Sequence, residues 1–293
     1  MIQTLSNDLL EVKIESHGAE LQSIESKRSH HQYLWQGDAR FWGRRSPVLF
    51  PIVGAVWNGI FRMDDQEYPM GQHGFARDME FTPVEGGADD EAWFALDWND
   101  ETLKRFPRRF RLEIGYKLHE TRISVMWRVT NLDTEAMHFQ IGAHPAFNYP
   151  DFNAADAVHA YLDLDGRDLT SEVIGEKGCI SEETITVSRD SDGLLPVGAD
   201  TFARDAIIIT GAKVRRVSML TKERTPYLTL LFSSPAVGLW SPSAQAPFMC
   251  IEPWWGRADR MGFDGEFQAR EYVNALEPGA VFNASYMIII DNI

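Results

Sequence analysis

The 293 residues carry 28 Lys and Arg against 43 Asp and Glu, a net charge of −15, and a field of that sign argues against broad attraction to nucleic acid or anionic membrane. Hydrophobic residues at 44% and charged residues at 24% exclude a disordered chain. The two cysteines, Cys179 and Cys250, form no CxxC pair, which excludes a disulfide framework and a thiolate zinc site.

In chain order, Met1–Ser16 lacks a basic segment followed by an apolar run and a small-residue cleavage pattern, and no later stretch reaches the length of a membrane-spanning helix. A cytoplasmic protein with no membrane partner is expected. Strand signals begin at Leu9–Ile14 and Leu21–Ile24, and a turn falls at Met63-Asp64-Asp65-Gln66. Another turn, Glu85-Gly86-Gly87, precedes a strand at Ala92–Trp98. A short helix is predicted over Asp100–Phe106, with Asp100 or Thr102 near its start and Pro107 stopping it. Leu112, Ile114, Tyr116 and Leu118 then alternate with polar residues and glycine, and after His119-Glu120-Thr121-Arg122 the pattern resumes at Ile123, Val125, Trp127 and Val129. That is a hairpin. Further strand signals lie at His138–Ile141, Ile185–Val187, Ile207–Ile209, Tyr227–Phe232, Phe248–Ile251 and Ser285–Ile290. Many short strands without long amphipathic helices predict an all-β fold, a large antiparallel sandwich or barrel, as one domain over 1–293.

Three stretches break this rhythm. Tyr68–Arg77 places His73 between glycines in a loop; Ile141–Tyr149 ends a strand at His144, before a proline; Cys250–Asp259 sets Glu252 before Trp254 and Trp255. Alternation from Met249 and Ile251 turns Glu252 towards an aromatic-lined region, where a carboxylate needs a partner or a task. Histidine and glutamate are the residue types for paired acid–base work near neutral pH. Trp35, Trp57, Phe147, Trp240, Trp254 and Trp255 are candidates for a platform that takes the apolar face of a sugar ring. Cys250, inside an apolar run, reads as a buried small hydrophobe.

The chain resembles the aldose 1-epimerase (galactose mutarotase) family, in particular its bacterial branch of epimerase-like proteins. The resemblance rests on Gly18-Ala19-Glu20-Leu21, Ser46–Gly54, His73-Gly74-Phe75-Ala76-Arg77, Gly142–Phe147, Cys250–Trp254 and Leu276-Glu277-Pro278-Gly279. It implies a large antiparallel β-supersandwich with the site in a cleft on one sheet. By the same resemblance His144 protonates the ring oxygen, Glu252 takes the proton of the anomeric hydroxyl, and His73 binds substrate and helps to stabilise charge. Asp205 looks like the substrate-binding acid, though a turn residue at a strand start reads equally well, and Arg77 and Arg45 border the cleft. The implied reaction interconverts the α and β anomers of a free aldose by ring opening and closure, with no cofactor and no metal.

Two alternatives stand beside it. A hexose-6-phosphate 1-epimerase would gather Arg44, Arg45, Arg77, Arg257 or Arg260 around a phosphate. A non-catalytic sugar-binding protein would keep the fold and cleft alone. A homodimer is left open, and a small-molecule sugar is the expected partner. The acid–base roles further lead one to expect a His144 imidazolium favoured by the neighbouring Glu252 carboxylate, with its pKa raised.

Overall fold

The alternating runs around Leu112 and Ile123 form two ten-residue strands, Phe110–His119 and Arg122–Asn131, joined through Glu120-Thr121. Their register sets Leu118 opposite Ile123, Tyr116 opposite Val125, Ile114 opposite Trp127 and Leu112 opposite Val129. All eight side chains are buried, because residues two apart along a strand share one face. The turn at Asp64-Asp65 joins strands Ile60–Met63 and Gln66–Pro69; both aspartates adopt positive φ, as a two-residue hairpin loop matched to strand twist requires.

The computed structural model describes residues 1–86 and 88–293, so Gly87 of the expected Glu85-Gly86-Gly87 turn lies outside them. Among the described residues the strands form a nine-stranded sheet, an eight-stranded sheet, a three-stranded sheet over residues 2–26 and two two-stranded ribbons. The pairings between strands are antiparallel. The α-helix at Asp100–Leu103 is shorter than the sequence predicts, and its cap is Asn99. The Asn99 side chain accepts from the backbone N–H groups of Glu101 and Thr102, while the Thr102 hydroxyl accepts from the Asn99 N–H.

The eight-stranded sheet runs Ile180–Thr186, Thr170–Ile174, Ile207–Thr210, Ala236–Trp240, Phe248–Trp255, Ile141–Ala143 and Val48–Leu49, with Ala146–Asn148 also paired to Phe248–Trp255. One face contributes Ile209, Val237, Leu239, Ile251 and Trp255 to the main core, which it shares with Ile114, Val125 and Trp127 of the nine-stranded sheet. The Trp127 and Trp255 rings meet edge to face at 5.4 Å across that interface. The opposite face carries Ile208, Ala236 and Trp254 in a smaller apolar cluster, and on that face the polar residues gather.

Trp127→Ala should therefore cost about 3–5 kcal/mol of stability, the range for removing a buried aromatic side chain. Denaturant unfolding followed by far-ultraviolet circular dichroism measures it; a loss below about 1 kcal/mol would contradict the inter-sheet role given to this ring.

Candidate active site

Strand Phe248–Trp255 is buried along all eight residues. Alternation sends Met249, Ile251 and Trp255 to the main core, and Glu252 and Trp254 to the other face. Glu252 pairs with Gly238 on the neighbouring strand. A Cβ at Gly238 would lie 2.6 Å from the Trp254 ring, so only glycine lets the indole rest against the sheet there.

His144 follows strand Ile141–Ala143, and its backbone N–H donates to the Pro47 carbonyl. Its Nε2 lies 3.2 Å from Glu252 Oε2. Aromatic rings fix the imidazole: Trp42 stacks on it at 4.7 Å, and Trp240 and His73 approach edge-on, each at 5.6 Å. Among the described residues His144 Nδ1 and Glu252 Oε2 have no hydrogen-bond partner.

His73 sits in a loop held to the Gly54 backbone at two points. The Gly54 N–H donates to His73 Nδ1 at 3.0 Å, and the His73 N–H donates to the Gly54 carbonyl at 2.8 Å. The first of these bonds places the proton of a neutral ring on Nε2. Gly74, at φ 72°, follows directly; a Cβ there would collide with the Phe50 carbonyl.

These groups line a cleft of about 450 Å³ together with Arg44, Gln72, Arg77, Asp205 and Trp240. Asp205 lies at its mouth with positive φ and accepts the Ala206 N–H. Arg44 pairs with Asp78 at 2.9 Å, and Arg77 donates to the Gln72 carbonyl at 2.8 Å.

Burial dominates the electrostatics. It pushes the Glu252 carboxyl well above the usual carboxylate range; the Trp254 indole N–H opposes this and the Asp205 charge reinforces it. The same burial lowers His144 to about 3, with Arg77 and Arg44 pushing the same way. His73 is held well below its ordinary value by burial, then by His144 and the two arginines. Burial also lowers Arg77 to about 10. The expected upward shift of His144 is thus reversed: removal from water outweighs attraction to a carboxyl that is itself kept neutral.

Of the residues singled out in the sequence, the structure brings Glu252, His144, His73, Asp205, Arg77 and Trp254 to this cleft. It does not bring Phe147 or Arg45 there. Phe147 is fully buried and packs in the main core, because alternation along Ala146–Asn148 turns it to the other face. Arg45 runs beside Gly37, while its neighbour Arg44 lines the cleft. Arg257 is buried against Glu172 and Glu271, and Arg260 pairs with Glu271 as well. Among the tryptophan candidates, Trp240 lines the cleft, whereas Trp35 stacks on Phe248, Trp57 packs under Lys177 and Trp255 lies in the core. The residues missed are Trp42 and Gln72. Trp42 lies in a stretch without strand rhythm, and the run Phe41-Trp42-Gly43-Arg44-Arg45, dense in aromatic and basic side chains, is the signal that marks it.

His144, Cys250 and Glu252 present donor atoms within 4.8 Å of one another. They fit a metal poorly, since burial pushes the Cys250 thiol well above its ordinary value and a thiol ligand must ionise.

The family model described as aldose 1-epimerase matches residues 1–267. The chain belongs to the aldose 1-epimerase family. This aldose 1-epimerase family member is 31% identical to the chromosomal LacX protein of Lactococcus lactis subsp. lactis, over 98% of this chain and 99% of that one. A galactose mutarotase related enzyme from Lactobacillus acidophilus superposes with a TM-score of 0.91 at 31% identity, over 100% of this chain and 98% of that one. A galactose mutarotase-like protein from Lactobacillus casei gives 0.92 at 29% identity, over 99% and 100%. The all-β, multi-sheet architecture read from the sequence is the fold of these structures.

With its pKa lowered to about 3, His144 should stay neutral through the physiological range. Its imidazole nitrogen resonances, recorded without ligand, should therefore not move between about pH 5 and about pH 8, where an unshifted histidine titrates. A midpoint inside that interval would contradict the dry environment assigned to the pair.

Proposed function

We propose that this family member is an aldose 1-epimerase that interconverts the anomers of a free aldose through His144 and Glu252. The observation that supports this most is the contact between a buried imidazole and a buried carboxyl on the floor of an aromatic-lined cleft. Among the described residues neither group has another side chain of opposite charge in contact, which leaves both free to exchange protons with a bound sugar.

A pyranose in the cleft places its C–H face against Trp254 or Trp240 and its hydroxyls among His73, Asp205, Gln72 and Arg77. Those hydroxyls give the pair polar partners, which stabilises the charged arrangement with the proton on His144. His144 then donates its proton to the ring oxygen while Glu252 takes the proton of the C1 hydroxyl. The C1–O5 bond breaks as the C1 carbonyl forms. Rotation about C1–C2 presents the other carbonyl face, and the reverse transfers close the ring, so no net proton is consumed. His73, neutral and bearing its proton on Nε2, donates a hydrogen bond to a sugar oxygen.

Arg44 and Arg77 at one side of the cleft favour a second reading, in which the sugar carries a phosphate. Arg44 is already engaged by Asp78, which makes the neutral sugar the better fit.

Anomer exchange followed by NMR, over free aldoses and their 6-phosphates, tests both readings. Acceleration of at least one free aldose is expected, and Glu252→Gln and His144→Asn should each lower kcat by about 10²–10⁴. No acceleration of any sugar would leave a binding protein, and acceleration of phosphates alone would select the second reading.

The pair holds one proton from the depressed imidazole value up to the raised carboxyl value. Activity should fall only as pH drops through the former or rises through the latter. The kcat/KM profile should therefore show no acid limb between about pH 4 and about pH 7. An acid limb near the ordinary histidine value of about 6.5 would contradict this.

A further inference from the structure

The loop at residues 36–47 contains neither strand nor helix, yet it sets a half-buried tryptophan, Trp42, in the cleft beside the His144–Glu252 pair. The indole stacks on the His144 imidazole at 4.7 Å, with 27° between the ring planes. Trp240 and His73 meet the same imidazole edge-on, at 81° and 89°. No other described residue hydrogen-bonds to His144 Nδ1, the bond that commonly fixes the plane of an acid–base histidine. Stacking is what sets that plane here.

The position of Trp42 is decided by the segments that carry the two reacting groups. With Phe41 and Trp240, it packs on a cluster of Trp35, Ala146, Ala246, Phe248 and Cys250. Ala146 follows His144 by two residues, Cys250 precedes Glu252 by two, and Ala146 and Cys250 are register partners on paired strands. The loop is tied to this seat: the Trp35 indole N–H donates to the Trp42 carbonyl at 2.9 Å, and Trp35 stacks on Phe248 at 4.3 Å. The Phe41 and Trp42 N–H groups both donate to the Asp38 carbonyl, which closes the loop into a turn. An indole seated on the Glu252 strand and lying flat on the His144 ring transmits the position of one group to the other.

We propose that Trp42 is a positioning residue of this cleft, whose indole face sets the plane of the His144 ring relative to Glu252. Its effect on rate rests on the anomer-exchange reading above; its effect on the ring rests on the fold alone. An aromatic face also attracts a cation, so the same contact favours the imidazolium through which that reaction passes. A leucine fills apolar space but offers neither a flat surface nor a quadrupole, whereas phenylalanine offers both over a smaller area.

Trp42→Leu and Trp42→Phe in the full chain test this with two measurements. Relaxation dispersion of the His144 ring C–H groups, recorded without sugar, should show one ring orientation in the parent, exchange between orientations in Trp42→Leu, and recovery in Trp42→Phe. In anomer exchange followed by NMR, Trp42→Leu should lower kcat by about 10²-fold, the cost of a misplaced reacting group, with KM changed by less than about twofold. Trp42→Phe should recover most of that loss. Trp42→Met, whose unbranched chain fills irregular gaps, takes the place of the leucine variant if the latter does not fold. A His144 ring as ordered in Trp42→Leu as in the parent would overturn the proposal, and so would an unchanged kcat. A raised KM at parental kcat would make Trp42 a sugar platform and overturn it too. If the parent accelerates no sugar, the anomer-exchange reading falls, and the ring measurement alone decides for or against Trp42.

Discussion

The removal of Glu252 from water is the constraint on which the rest of the site depends. The carboxyl sits within a strand buried on both faces, 1% exposed. An ionised, unpaired carboxylate in that position costs far more than a lost hydrogen bond, so burial favours the protonated form. His144 is within reach of it but is equally dry, and burial drives both groups to neutrality. Both groups are therefore held towards their uncharged forms, with His144 Nε2 3.2 Å from Glu252 Oε2.

The geometry itself is held from several directions. Trp42 and Trp240 clamp the imidazole from separate segments, Gly54 fixes the His73 ring through its backbone, and Ile251 and Trp255 anchor the Glu252 strand from the core side. Trp42, Trp240 and Gly54 hold the site from the cleft face, and Ile251 and Trp255 hold it from the opposite, core face. Contacts on the core face therefore restrict the Glu252 strand without touching the carboxyl, which keeps the two groups aligned.

How much of this was legible in the sequence depended on the range of the signal. The hairpin at residues 110–131 was plain because ten-residue strands with one buried face repeat the period-two pattern often enough to be counted. Strand Ala236–Trp240 gave no such signal: it is covered on both faces, and its Gly238 exists to make room for Trp254. Ala160–Leu164 and Arg216–Leu220, five residues each, also went unread, although shorter runs such as Ile207–Ile209 were picked out. Glu252, His144 and His73 were visible because they interrupt the strand pattern with unusual neighbours. Trp42 was not, since its role comes from a stacking contact with a residue about a hundred positions away. The sign of the His144 shift was misjudged for a related reason: proximity to a carboxyl can be guessed from motifs, but dryness is a property of the assembled fold.

Strand Val281–Ile290 pairs with Arg122–Asn131 on one side and Pro226–Phe232 on the other, so a segment synthesised late occupies the interior of the nine-stranded sheet. While the chain emerges from the ribosome, the two parts of that sheet can form only as separate pieces, each with an open edge where its shared neighbour belongs. Closing them requires pairings that span more than 150 residues on one side, a topology that folds slowly and leaves apolar strand edges exposed in the meantime. The sheet packed behind the cleft face is thus completed only after every cleft residue has been made.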